Sequence, residues 1–249
     1  MRTTSAIGSD DRAVSDVVGY VLVFSLITLS IGAITVGGFS TLQDRQDAER
    51  INNAERAFDV FAGNVEDVYR DGAPSRATEM RLSGGTLRYG EPVTITVADA
   101  TSSDIKTTVQ TTPLVYANGR TEIIYVAGAV IRSERDSAVM LREPPFKITA
   151  DSTVVPIIAI TAPSDQPTIS RELAHTRVES TRRNPTPNPD LSADGNRITI
   201  TVESPWSDAW ERYFDRQAEP EAVKSDGQSV EIETDRISTP VSRIDLHIR

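Results

Sequence analysis

The stretch DDRAVSDVVGYVLVFSLITLSIGAITVGGF, Asp10 to Phe39, decides how the rest of the chain is read. From Val17 to Phe39 it runs 23 residues without a charge. At ~1.5 Å of rise per residue, a helix of that length spans about 35 Å, enough for a hydrocarbon core of roughly 30 Å. A cleaved secretory signal has a shorter apolar region, about 7–15 residues, with a small-residue cut site behind it. No A-x-A pattern follows this run, twin arginine is absent, and there is no cysteine for a lipid anchor. The segment is therefore expected to stay with the protein as a transmembrane helix.

Composition bounds what such an anchor could carry. The 249 residues hold 36 acidic and 26 basic side chains, a net charge of −10. Only Lys106, Lys147 and Lys224 are lysines, which leaves 26 − 3 = 23 arginines. A surface kept negative by Asp and Glu with almost no Lys suits high salt, so a halophilic source is expected, although a GC-rich genome would also favour Arg codons. Without cysteine there can be no disulfide framework, thiolate metal site or cysteine nucleophile. The densest basic run, HTRVESTRRNP, mixes Arg177, Arg182 and Arg183 with Glu179 and prolines. It reads as a solvated loop, so no nucleic-acid partner is expected.

The residues ahead of the apolar run suggest how it is processed. A polar leader, Met1 to Ala13, ends in Arg12-Ala13 and is followed by Val14-Ser15-Asp16-Val17-Val18-Gly19. This resembles the class III signal of archaeal type IV pilins and archaellins, whose common form is V-S-P-V-I-G; Asp16 replaces Pro and Val18 replaces Ile. The resemblance implies cleavage between Ala13 and Val14 by a prepilin peptidase on the cytoplasmic side. The fifth mature residue is Val18, so the carboxylate that bacterial pilins place there has no counterpart. Asp16 is a physically reasonable substitute beside a free α-amino group, or it simply caps the helix start. Ala33 and Gly37 form a small-xxx-small pair that lets membrane helices approach closely, and Gly19 stands at the helix start. Loop charges do not set orientation, because Arg45, Arg50 and Arg56 on the far side sit among acids.

Beyond the membrane segment the helical period continues but becomes one-sided. Ile51, Ala54, Phe58, Phe61, Val65 and Val68 recur at spacings of 3 and 4, until Gly72 and Pro74 end the pattern. One helix from Val14 to Arg70 would be ~85 Å long. Its first half is apolar all round, and its second is striped for packing on the module that follows.

From about Glu79 the period falls to two. Runs such as PVTITVA, TEIIYVAGAVIRS, FKITA, TVVPIIAITA, NRITITVES and SRIDLHIR, parted by Gly, Pro, Asn and Asp, predict strands. The fold class expected is α+β: a long N-terminal transmembrane and amphipathic helix, then an antiparallel β-sandwich-like domain. The organisation reads as a leader at 1–13, a transmembrane helix at 14–39, an amphipathic extension at 40–75 and an extracytoplasmic β-rich domain at 76–249. One helix interrupts the strands in SPWSDAWERYFDRQ, with Ser204 as N-cap and Pro205 at its first turn. Its Trp206, Trp210, Tyr213 and Phe214 share a broad face that either packs on a sheet or meets a partner. This helix together with Gly128 to Arg132, GAVIR, is similar to uncharacterised haloarchaeal pilin-like membrane proteins.

Motifs for chemistry are sparse. His175 and His247 are too few and too isolated for a zinc site. No G-x-S-x-G, G-x-x-x-x-G-K-[ST] or G-x-G-x-x-G occurs. Asp190, Ser192, Asp194 and Gly195 start like a calcium loop, but the twelfth position is Thr201, and Asp194-Gly195 reads better as a turn. No catalytic residue, metal or cofactor is expected. The function expected is a non-enzymatic pilin-like surface protein, a minor or accessory filament subunit whose partners are the lipid bilayer, the prepilin peptidase and sister subunits. The alternative is a single-pass anchor holding a β-rich binding module that never polymerises.

Overall fold

The computed structural model describes residues 10–100, 106–135, 137–149, 151–163, 169–170, 173–183, 191–217, 223–226 and 228–248. The chain divides into two compact units, Met1–Glu49 and Arg50–Arg249. Helix α1 (Asp10–Tyr69) supplies the described part of the first unit and opens the second. Within the second unit the predicted stripe is the buried face. Ile51 is 7% exposed, and Ala54, Phe58, Phe61, Val65 and Val68 are fully buried. The helix stops where the sequence has Gly72, in the left-handed region at φ 75°. There the Ala73 N–H reaches back to the Asp67 carbonyl at 3.1 Å, closing the last turn.

The fold class is α+β, an apolar N-terminal helix followed by a mostly β unit with antiparallel sheets. The strands form three sheets. The first runs β1 (Ser75–Ser83), β12 (Leu173–Arg182), β16 (Val241–Ile248), β10 (Ile157–Thr161). The second runs β11 (Ile169–Ser170), β2 (Thr86–Tyr89), β5 (Leu114–Asn118), β6 (Thr121–Val126), β7 (Ala129–Glu134), β8 (Ser137–Arg142). The third runs β14 (Val223–Asp226), β15 (Ser229–Ser238), β13 (Leu191–Glu203), β3 (Val93–Asp99), β4 (Lys106–Thr111), with β9 (Thr153–Val154) beside β15. Among the described residues every pairing is antiparallel except β10 with β16 and β9 with β15.

The second sheet lies between two cores. Ile124, Val126, Val115 and Ile131 join the third sheet's Ile95, Ile198 and Ile200 on one side. Ile123, Tyr125, Leu114 and Val130 face the other way, onto Phe58 and Phe61 of α1 and Ile244 and Leu246 of the first sheet. Burial on both faces explains why EIIYVAGAVI is almost continuously apolar, where a half-exposed strand would alternate. Strand β10 behaves likewise, sending Ile157 and Ala159 to one core and Ile158 and Ile160 to the other.

Four local readings are corrected. TEIIYVAGAVIRS is a hairpin, not one strand: Val126 pairs with Ala129, and Ala127 and Gly128 between them have φ of 51° and 89°. Two consecutive positive φ values make a type I′ turn, whose twist suits a two-residue hairpin. HTRVESTR is not a solvated loop but lies in β12, paired on both sides by β1 and β16. Asp194-Gly195 is not a turn; it sits inside β13, where the register shifts between Ser192 and Asn196. Among its described residues FKITA is not a strand but a single bridge, Lys147 with Val154.

Candidate functional site

The apolar run lies in α1, and Ser15–Thr35 is long and apolar enough to cross a membrane, with a mean hydropathy of 2.3. None of that window is buried within the chain. Val21, Leu22, Val23 and Phe24, four successive residues that point to all sides of the helix, are each more than half exposed. In water so much bare apolar surface would be very unfavourable at roughly 25 cal/mol per Å2. Three of its hydroxyls bond back onto the helix. Thr28 Oγ1 donates to the Phe24 carbonyl at 2.8 Å, Ser30 Oγ to Leu26 at 2.7 Å and Thr35 Oγ1 to Ile31 at 2.7 Å. A helix that bonds its own backbone and turns such hydroxyls back onto it suits hydrocarbon.

No neighbouring group in the chain requires glycine at Gly19 or Gly32. A Cβ on Gly19 or on Gly32 would meet nothing within 4 Å, and glycine costs a helix interior roughly 1 kcal/mol relative to alanine. Ala33 is exposed, and Gly37 is helical, with its side-chain surroundings outside the described residues. Asp16 is exposed near the start of the run. Arg12, Ala13 and Val14 fall in the first turns of α1; their side chains, and residues 1–9 of the leader, lie outside the described residues. Asp190 of the calcium-like stretch does too.

The four aromatics offered as a partner face are not available as one. Helix α2 (Ser207–Gln217) starts after a turn in which the Trp206 N–H donates to Ser204 Oγ at 3.2 Å, so Ser204 caps the turn rather than the helix proper. Trp210, Tyr213 and Phe214 are fully buried and Trp206 is 8% exposed. Trp210, Tyr213 and Phe214 join Phe146 in one aromatic cluster, Phe146 lying 6.2 Å from Trp210 and from Tyr213. The spacing that gave the helix a face did not say what the face meets; it meets the core next to the third sheet. The histidines also fall in a sheet, His175 opposite Arg81 on β1 and His247 opposite Glu179 on β12. Among the described residues no group of three or more His, Cys, Asp or Glu could hold a metal ion.

Sequence reasoning missed a cleft of about 360 Å3 in the second unit. Glu66, Tyr69 and Arg70 come to it from the end of α1, Tyr125 from β6, and Arg142 and Glu143 from the end of β8. Pro145 and Phe146 add an apolar wall. Arg142 Nη2 donates to Glu66 Oε2 at 2.7 Å and its Nη1 to Asp59 Oδ1 at 3.0 Å, while Arg70 Nη1 donates to Glu66 Oε1 at 2.7 Å. Glu143 is paired with Arg216 at 3.0 Å. The Tyr125 hydroxyl is buried and, among the described residues, no group accepts its proton, while the Gly128 backbone lies close to its oxygen. Burial pushes its pKa well up, with Tyr69, Arg142 and Glu66 of the cleft as the charged or titratable groups that act on it. Tyr69 is pushed up too, by burial first and then by Glu66. The signal that could have found this cleft was REPPFK, an arginine-glutamate pair held by two prolines, which reads only as a chain break until the fold brings α1 beside it.

Residues 12–247 match the model of a family of unknown function, DUF7289, and the chain belongs to that family. No curated protein and no solved structure matches it.

Proposed function

We propose that this member of the DUF7289 family is a non-enzymatic, pilin-like surface protein, cleaved after Ala13 and held in the membrane by its apolar helix. The observation that carries the reading is the contrast along α1. Ser15–Thr35 is exposed all round, whereas the stripe from Ile51 to Val68 is buried in the β-rich unit. A helix built this way has one part for lipid or sister helices and one part that belongs to its own domain. Open space around Gly19 and Gly32 favours close approach by other helices over a lone anchor. Asp16 would face the new α-amino group of Val14 in its own or a neighbouring subunit, and Ala33 and Gly37 would form a contact stripe.

The β-rich unit would then lie outside the cell, in a minor or accessory filament subunit of a haloarchaeal surface. The partners are the bilayer, a prepilin peptidase and sister subunits, with no role for nucleic acid. A second reading, a single-pass anchor for a binding module, is favoured by the cleft beside Tyr125. Intact mass of the protein extracted from its native membranes separates the two. A mature chain beginning at Val14 is expected, and Arg12→Ala is expected to leave the leader attached. A native chain beginning at Met1 or Arg2 would remove the pilin reading and leave the anchor.

A further inference from the structure

The cleft beside Tyr125 has the construction of a binding site. Its charges cancel, with Glu66 and Glu143 against Arg70 and Arg142, and each is already held in an ion pair. A charged ligand seated between Glu66 and Arg142 would have to break their pair, in which both side chains are about 30% exposed, and leave one of them without compensation. A neutral ligand need not. Carboxylate lone pairs and guanidinium N–H groups not used in the pairs remain for hydroxyls. The Phe146 ring and Pro145 give the cleft one apolar wall, suited to the C–H face of a flat ring. A cleft of about 360 Å3 lies within the size range of small-molecule sites.

The Tyr125 hydroxyl points the same way. It is a donor without an acceptor, fully buried, with the groups acting on it all lining the cleft. Leaving such a group unmade costs about 1–3 kcal/mol, and phenylalanine would fill the same space without that cost. Tyr125 also packs its ring at 5.0 Å on Phe61, so its position is fixed by the core and its hydroxyl is preorganised.

We infer that the cleft formed by Glu66, Tyr69, Tyr125, Arg142, Glu143 and Phe146 is a binding site for a neutral sugar ring, with the Tyr125 hydroxyl donating to one of its oxygens. This site does not depend on how the N-terminus is processed, so a negative result for either leaves the other standing.

The test uses the full chain in a zwitterionic detergent free of sugar headgroups. Binding of glucose, galactose, mannose and N-acetylglucosamine is followed by saturation-transfer NMR, with inorganic phosphate as the charged probe. Saturable binding of at least one sugar is expected, weakened about tenfold or more by Tyr125→Phe, the loss of one buried hydrogen bond. Should Tyr125→Phe fail to fold, Glu143→Gln decides instead, because its partnership with Arg216 is half-exposed and not needed for folding. Four sugars that do not bind, binding unmoved by the deciding variant, or binding of phosphate in place of the sugars would each overturn the inference.

Discussion

Gly128 has two separate reasons to be glycine. Its φ of 89° lies where a side chain is strained, and a Cβ there would sit 2.6 Å from Pro145 Cδ and 2.8 Å from Ile158 Cδ1. Strain and overpacking add, so Gly128→Ala is expected to destabilise the protein by about 2–4 kcal/mol. Urea unfolding followed by tryptophan fluorescence measures it, since Trp206 and Trp210 sit in one of the two cores that the hairpin separates. Its neighbour Ala127 also has positive φ, where Asn or Asp is the usual choice. A polar side chain has no place there, because the position is fully buried. That substitution hid the hairpin: without Asn-Gly or Asp-Gly, nothing in TEIIYVAGAVIRS marks a turn, although Gly128 itself was visible.

At the scale of elements, α1 shows what periodicity can establish. Spacings of 3 and 4 identified Ile51, Ala54, Phe58, Phe61, Val65 and Val68 as one face, and burial agrees with every one. Phe61 packs edge-on against Tyr125 and lies beside Phe58, so Phe61→Ala is expected to cost about 3–5 kcal/mol. Val60, next in the chain and 58% exposed, lies off the stripe, and Val60→Ser is expected to change stability by less than about 0.5 kcal/mol. Denaturant midpoints of the two variants check the pair together. Helix α2 was equally legible as a helix with an aromatic face. Its destination was not, because a face that meets a sheet and one that meets a partner have the same spacing. Strand β12 was misread for the opposite reason: its polar Thr, Arg, Glu and Ser residues look like a loop until β1 and β16 pair with both of its edges.

At the scale of the whole molecule, a net charge of −10 repels itself unless it is screened. The Debye length falls from about 10 Å near 0.1 M salt to about 3 Å at 1 M. Ion pairs such as Arg70–Glu66 and Arg76–Asp67 are exposed enough that their loss to screening matters little. Thermal unfolding of the full chain is therefore expected at a higher temperature in about 2 M KCl than in about 0.1 M. A lower temperature at high salt would contradict the halophilic reading.

By itself the sequence determined the membrane-length helix, the buried stripe that continues it, the α+β class and the existence of α2. Each rests on local period or length, which backbone geometry translates directly into structure. Only the tertiary structure decided which apolar runs are buried on both faces, that the strands form three sheets, and that Trp210, Tyr213 and Phe214 point inward. It alone also brought Glu66, Tyr125 and Arg142 from three elements to one cleft. Such choices depend on contacts between residues far apart in the chain, and no local period encodes those contacts.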